Sequence, residues 1–180
     1  MPVFEDASVF PAFYELPTSP EAAPGENWFL LAQIKENMTI TKPTLIITDR
    51  TGLDFAIIFD DKGLSLKGFK KGYTIVVPRA TRTDREEGKK AIVKVEEGRG
   101  GEAKVIPGTL AQVLELGQVI GIEGSGAKCA ACGNVEGSPM RCTGCGTASY
   151  CSKACQVKGW SEMGHKSNCK VIKSIKEIWR

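Results

Sequence analysis

The most constraining feature of this 180-residue chain is one segment, residues 129–169, which holds all seven cysteines and the only histidine. The eight side chains follow the spacing C-x2-C-x9-C-x2-C-x5-C-x3-C-x9-H-x3-C. Thiolate sulfur and imidazole nitrogen are preferred ligands of Zn²⁺, which binds four of them tetrahedrally in structural sites. The segment therefore predicts two structural zinc ions per chain, with no ligand left over.

Other interpretations of these cysteines fit the sequence less well. A disulfide framework usually has an even cysteine count and an exported context, and neither is seen in this sequence. A redox C-x2-C pair normally stands alone near a βαβ pattern. A catalytic zinc keeps one position open for water, whereas eight donors close two tetrahedral sites. Spacing alone leaves open whether the pairs combine sequentially or alternately along the chain.

The residues around these ligands are also distinctive. They read Cys129-x2-Cys132, Cys142-x2-Cys145, Tyr150-Cys151-Ser-Lys-Ala-Cys155-Gln156, Trp160, His165-Lys166 and Cys169. This pattern resembles a MYND-type zinc finger and covers about a quarter of the chain. One departure is the four-residue gap between Trp160 and His165, because a shorter gap is more usual in the family.

The resemblance implies alternate pairing of the ligands. The first zinc would then be held by Cys129, Cys132, Cys151 and Cys155, and the second by Cys142, Cys145, His165 and Cys169. It also implies an interaction module that takes short proline-containing peptides of other proteins, often of the Pro-x-Leu-x-Pro type. The peptide-binding residues carried over by the motif are Gln156 and Trp160, with Ser149 and Tyr150 on the adjoining strand.

Trp160 has two compatible interpretations. A flat aromatic ring is a common packing platform for proline, which favours a binding role. The same ring could also fill the small core between the two zinc sites.

The remainder of the chain is expected to form a separate domain. Residues 1–27 contain five of the nine prolines and predict an extended arm. We expect Phe10, Phe13 and Tyr14 of this arm to pack on the neighbouring domain. A further hypothesis is that the arm's Leu16, which lies among prolines, occupies the finger's peptide groove.

Residues 28–120 alternate between apolar and polar positions in several short runs. Six strands are predicted, close to residues 28–35, 44–49, 53–60, 73–77, 91–96 and 103–106. Short strands with turn signals between them favour a mainly β fold, and their spacing resembles a small OB-like barrel. The stretch 79–90 is expected to be a charged loop.

The last predicted elements are helices and a linker. Thr109-Leu110-Ala111-Gln112 is typical of a helix start, and we expect the helix to end at Gly117. Residues 121–128 are rich in glycine and predict a linker to the finger. Residues 170–180 repeat apolar side chains at helical spacing and predict a C-terminal amphipathic helix.

Charge is divided unevenly along the chain. Residues 1–127 carry 15 Lys+Arg and 18 Asp+Glu, whereas residues 128–180 carry 9 and 3. Single-stranded nucleic-acid binding by the barrel is the alternative function, because basic residues interleave with aromatic ones there. The residues behind this alternative are Lys67, Phe69, Lys70, Lys71 and Tyr73, and, in the charged loop, Arg79, Arg82, Arg85, Lys89 and Lys90. Acidic residues in the same charged loop weaken the nucleic-acid alternative.

The sequence predicts a binding protein rather than an enzyme. Its only histidine is assigned to zinc, which removes the commonest general base, and no phosphate-binding glycine motif is present. No apolar run approaches a membrane span, and no export signal is recognisable. Free thiols favour a reducing compartment, so we expect a nuclear or cytoplasmic adaptor without a membrane partner.

Overall fold

The computed structural model describes residues 3–22, 25, 27–120 and 127–179. The predicted linker over 121–128 lies mostly outside the described residues. Contacts group the chain into two compact units, which are described separately below. The first, Phe4–Ala111, is called the sheet unit; the second consists mainly of residues 112–180 and is called the finger unit.

The sheet unit contains seven strands. They are β1 (Phe29–Asn37), β2 (Thr44–Asp49), β3 (Asp54–Phe59), β4 (Thr74–Pro78), β5 (Arg82–Thr83), β6 (Ile92–Val95) and β7 (Lys104–Ile106). Their order in the sheet is β5-β6-β3-β2-β1-β4-β7. Neighbouring strands are antiparallel, except that β3 and β6 run parallel.

The predicted strands are found, but the predicted barrel is not confirmed. Six strands lie where the alternating pattern placed them, and the sheet ends at β5 and β7 instead of closing. The two-residue strand β5 falls inside the stretch expected to be a charged loop, since Arg82 and Thr83 pair with β6. Strand pairing depends on contacts between distant segments, which a period-two pattern does not encode.

The core of the sheet unit lies on the apolar face that the alternation predicts. In β1, Leu30, Ala32 and Ile34 are buried, and in β3 the buried positions are Phe55, Ile57 and Phe59. Strand β4 is buried on both faces. This burial of alternate side chains fixes the register, because a slip by one residue would expose the apolar set.

The N-terminal arm belongs to this core. Phe10 and Phe13 are buried as expected, whereas Tyr14 is 71% exposed. The ring of Phe13 lies 4.1 Å from that of Phe55, measured between centroids. Leu16 is also buried in the core of the sheet unit, which contradicts the hypothesis that it occupies the finger's groove.

The finger unit contains a short hairpin and helices. The hairpin strands are β8 (Met140–Arg141) and β9 (Ser149–Tyr150), and the helices are α1 (Leu110–Ile120), α2 (Lys153–Ser161) and α3 (His165–Ile178). Helix α1 starts in the sheet unit and continues into the finger unit. It continues past Gly117, where the sequence predicted its end, because Gly117 lies on a buried stripe with Val113, Leu116 and Ile120.

Helix α3 is longer than the C-terminal helix predicted over 170–180. It begins at His165 and runs without a break to Ile178, so two ligand positions and the predicted amphipathic segment share one helix. Its buried face carries His165 and Cys169 and continues through Val171, Ile172 and Ile175. No helix among the described residues has the length and apolar character needed to cross a membrane.

Candidate metal centre

Two cysteine pairs are presented by similar turns. In the first, the N–H of Gly133 donates to the carbonyl oxygen of Cys129 at 2.8 Å. In the second, the N–H of Gly146 donates to the carbonyl oxygen of Cys142, also at 2.8 Å. Both glycines have a positive φ, 75° and 65°, which residues with a Cβ rarely adopt. Each turn thus directs two sulfur atoms to the same side.

The third cysteine pair is placed by the start of α2. Cys151 precedes the helix, Cys155 lies in its first turn, and their Sγ atoms are 3.6 Å apart. Ser152 caps the helix, because its Oγ accepts a hydrogen bond from the N–H of Cys155 at 3.2 Å. The cap holds the first turn in the geometry that brings the two sulfurs together.

The last pair lies on α3. His165 and Cys169 are four residues apart and therefore occupy one face of the helix. The helix starts after Gly164, which has a φ of 74°. The four residues between Trp160 and His165 thus end α2 and form a tight turn into α3, which accommodates the longer gap noted in the sequence.

The eight donors gather into two groups of four. They are Cys129, Cys132, Cys151 and Cys155 in one, here called the outer site, and Cys142, Cys145, His165 and Cys169 in the other, called the inner site. Within each group all donor atoms lie within 4.8 Å of one another. The pairing is therefore the alternate one that the family resemblance implied.

The spacing of the donor atoms fits zinc. A tetrahedral ion with Zn–S bonds of about 2.3 Å separates its sulfur ligands by about 3.8 Å. The outer site has Sγ atoms of Cys132 and Cys151 at 3.6 Å. The inner site has Sγ atoms of Cys142 and Cys169 at 3.7 Å, and Cys145 Sγ lies 3.8 Å from His165 Nε2. Both groups match the edges of a zinc tetrahedron.

The pKa values of the thiols in the outer site also indicate that the site would bind a cation. Backbone N–H groups, first that of Cys151, lower the pKa of Cys129 to about 6. Hydrogen bonds with Cys155, Cys132 and Cys129 raise the pKa of Cys151 to about 12. The ionised form of Cys129 is thus stabilised, whereas ionisation of the neighbouring Cys151 is disfavoured.

The inner site shows the same division. Burial and the neighbouring Cys142 raise the pKa of Cys169 to about 12. Burial also opposes ionisation of Cys142, but hydrogen bonds from His165 and from two backbone N–H groups bring its pKa down to about 6. A divalent cation at the centre of each group would remove the repulsion between thiolates, which makes all four donors available as ligands.

Comparison with known families agrees with this geometry. Residues 129–169 match the family model of the MYND finger. They form a MYND finger. MYND fingers are zinc-binding modules of protein–protein interaction, and the two donor sets of this finger fit two Zn²⁺ ions. No curated protein matches the chain.

The four peptide-binding residues predicted from the resemblance differ in exposure. Gln156 is exposed on α2, and Trp160 is 42% exposed on the same helix. Ser149 and Tyr150 lie on β9 as expected, but both are buried, at 1% and 2% exposure. The side chains of Ser149 and Tyr150 therefore support the finger from within rather than present a surface.

Trp160 also has a role inside the finger. Its ring lies edge-on to that of His165, with 5.8 Å between centroids, and the ring of Tyr150 contacts His165 at the same distance. One side of the indole thus packs beside the inner site, while the rest faces solvent. Both interpretations of Trp160 drawn from the sequence are compatible with this position.

Two features of the site were not recognised from the sequence. Each C-x2-C pair is followed directly by a glycine, and this C-x2-C-G repeat marks the positive-φ turns at Gly133 and Gly146. The second feature is Lys176, whose Nζ donates to the carbonyl oxygen of Cys145 at 3.1 Å. Spacing gave no signal for it, because 31 residues separate the two partners.

Proposed function

We propose that the chain is an adaptor whose MYND finger binds short proline-containing segments of other proteins, in a regulatory or transcription-related complex. The observation that carries this proposal is the exposed face of α2. Val157 is 57% exposed and Trp160 42% exposed, and both are large apolar side chains that lie one turn apart on the same helix. We call the exposed residues Lys153, Gln156, Val157 and Trp160 the α2 face.

The four residues of the α2 face follow helical spacing. Taken from Lys153, they stand at i, i+3, i+4 and i+7, which places them on one side of the helix. Gly159 lies outside this set and is buried against Tyr150. The helix therefore packs on the finger through Gly159 and presents an aromatic ring, an aliphatic side chain and an amide on its exposed face.

A proline-rich ligand suits such a surface. A segment with several prolines is already extended in solution, so it loses little conformational entropy on binding. Proline rings pack on flat aromatic side chains, and Trp160 offers one. The amide of Gln156 could hydrogen-bond to the exposed backbone of an extended ligand, since polyproline II backbone makes no internal hydrogen bonds. In this proposal Tyr150 positions the helix through its contact with Gly159, and the side chain of Ser149 is buried in β9.

The nucleic-acid alternative has less support. Phe69 packs against the core, 6.2 Å from Phe59 between ring centroids, and Tyr73 is also packed there. Several basic residues are paired with acidic ones, including Arg82 with Asp84 and Lys89 with Glu86. Stacking platforms and unpaired cations are what single-strand binding requires, so no observation favours this function.

We also propose that the protein has no catalytic activity of its own. The only histidine lies in the inner site with three cysteines. A shallow pocket of about 360 Å³ in the sheet unit is lined by Asp61, among others, but its carboxylate accepts hydrogen bonds from the N–H groups of Gly98 and Gly100. The carboxylate of Asp61 therefore holds the loop that contains Gly98 and Gly100.

A nuclear or cytoplasmic location follows as a proposal from the need to keep seven thiols reduced.

Affinity capture tests the adaptor proposal. The zinc-loaded chain, its Trp160→Ala variant and a Val135→Ala variant are used as baits, and bound proteins are identified by mass spectrometry. Val135 is the matched control, because it is a 69% exposed apolar residue of the finger outside the α2 face. The proposal expects partners with proline-rich segments that are lost with Trp160→Ala and kept with Val135→Ala. Partners retained equally by all three baits would contradict it.

A further inference from the structure

The two zinc sites differ in how well the protein covers them. All four inner ligands are buried, with exposures between 5% and 8%. In the outer site only Cys129 is buried; Cys132 and Cys151 are exposed, and Cys155 is intermediate. Small oxidants and chelators therefore reach the outer sulfurs directly, whereas the inner ones are shielded by the finger itself.

The sites also differ in charge. Four thiolates around Zn²⁺ leave a formal charge of −2 on the outer site, whereas three thiolates and a neutral imidazole leave −1 on the inner site. Greater negative charge makes a zinc-bound thiolate a better nucleophile, because sulfur reactivity follows thiolate character. The outer site is thus both the more accessible and the more electron-rich of the two.

Lys176 adds a further difference. Its ammonium donates to the carbonyl oxygen of Cys145 at 3.1 Å and to Thr147 Oγ1 at 3.4 Å. These contacts tie the last turns of α3 to the turn that presents Cys142 and Cys145. They also place a positive charge beside the inner site, which offsets part of its negative charge. The inner site is therefore held by three points of one helix: His165, Cys169 and Lys176.

We propose that the outer site is an oxidation site of this protein, at which a peroxide converts Cys132 and Cys151 to a disulfide and releases one zinc ion while the inner zinc is retained. Both residues are exposed and their Sγ atoms lie 3.6 Å apart, so a modest movement joins them. Cys151 and Cys155 also hold the start of α2. Loss of the outer zinc would therefore loosen the helix that carries the α2 face, a consequence that rests on the proposed function.

The chemistry balances with a peroxide as the oxidant. One thiolate attacks a peroxide oxygen, which breaks the O–O bond, gives a sulfenic acid and releases hydroxide that is protonated to water. The second thiolate displaces the sulfenic hydroxyl, which leaves as a second water after protonation, and the S–S bond forms. Two thiolates lose two electrons and the peroxide gains two. Zn²⁺ keeps its charge and leaves because two of its ligands are no longer thiolates.

Zinc release under hydrogen peroxide tests the proposal without any peptide. The full zinc-loaded chain is treated with peroxide, released zinc is followed with a colorimetric chelator, and the remaining thiols are alkylated and mapped by mass spectrometry. We expect one equivalent to leave at a rate on the order of tenfold above the second, because access and charge both favour the outer site. Cys132 and Cys151 should be found as a disulfide while Cys142, Cys145 and Cys169 remain alkylatable.

Variants of α3 provide the matched control. Lys176→Met removes the ammonium beside the inner site and should accelerate only the second phase, by roughly tenfold. Lys173→Met, an exposed lysine on the same helix, should change neither phase. Release of both ions at one rate, or a first disulfide among the inner cysteines, would overturn the proposal. Retained biphasic release with no proline-rich partner would instead refute the proposed function alone.

Discussion

Gly159 of α2 lies directly against Tyr150 of β9. A Cβ placed on Gly159 would lie 2.7 Å from the Oη and 2.8 Å from the Cζ of Tyr150, closer than carbon contacts allow. The absence of a side chain at residue 159 therefore sets how closely α2 approaches the hairpin. Because Tyr150 also contacts His165, this one contact relates the α2 face to the inner zinc site.

Replacing Gly159 tests that contact. Gly159→Ala should destabilise the zinc-loaded finger by about 1–3 kcal/mol, because the added methyl group forces α2 or the Tyr150 ring to move. Alanine is the better helix former by about 1 kcal/mol, so a destabilisation would have to come from the clash. Lys158→Ala at the neighbouring exposed position is the control. Equal stabilities of Gly159→Ala and the parent in urea denaturation would show that the contact carries no constraint.

A ligand substitution tests the independence of the two units. Cys142→Ser should abolish zinc binding at the inner site and unfold the finger, because metal binding and folding of so small a module are one event. The sheet unit has its own buried core and should keep its amide hydrogen-exchange protection. General loss of protection over residues 28–106 would show that the sheet unit depends on the finger.

Asp49 connects the N-terminal arm to the sheet. Its buried carboxylate accepts hydrogen bonds from the N–H of Phe13 at 2.9 Å, from the N–H and hydroxyl of Thr51, and from the N–H of Leu53. Asp49→Ala leaves the buried N–H of Phe13 and the partly buried donors of Thr51 and Leu53 without this acceptor, and should lower the free energy of unfolding by about 2–4 kcal/mol. Asp84→Asn, which removes an exposed ion pair, should cost about 1 kcal/mol or less. Similar midpoints for both variants in urea would contradict this role of Asp49.

The sequence predicted some of these relationships and not others. Alternation located most of the six strands because one of their faces is buried, a property that is local to the strand; β4 is buried on both faces. The parallel pairing of β3 with β6 is not local, and the pattern could not give it. The zinc ligands were identifiable because the residue types cysteine and histidine, at this spacing, themselves indicate metal binding. Their assignment to two sites required the family resemblance, which the donor distances then confirmed.

The burial of two predicted peptide-binding residues, Ser149 and Tyr150, was not visible in the sequence. Ser149 and Tyr150 were carried over from a motif, and a motif does not report which side of a two-residue strand faces the interior. The importance of Gly159 and Lys176 was equally hidden, because each acts on a residue that is distant in sequence. Local patterns thus predicted the elements and the donors, while contacts between elements had to be observed.

The acid response of the sheet unit follows from its carboxylates. Hydrogen bonds from Lys35 lower the pKa of Asp54, those from Lys42 lower that of Asp60, and those from Arg79 lower that of Glu102. A carboxyl with a lowered pKa in the folded state contributes stability above its unfolded pKa, here 3.8 to 4.5, and loses it as the pH falls through the folded value.

The urea midpoint of the sheet unit, followed by its amide signals, should therefore not change with these carboxylates between pH 8 and about pH 5. At pH values below about 4 the midpoint should decrease. Amide signals separate this change from zinc loss in the finger, since protons also compete with zinc for its ligands. A midpoint that rises as the pH falls below 4 would contradict the directions of these shifts.

The most direct test of the central claim is a titration of the zinc-loaded full chain with a Pro-x-Leu-x-Pro peptide, followed by backbone and indole NMR shifts. The account predicts saturable shift changes centred on Gln156, Val157 and the indole N–H of Trp160, with the sheet unit unaffected. Changes centred on the sheet unit, or no change at millimolar peptide, would contradict the claim that the α2 face of the finger is the binding surface.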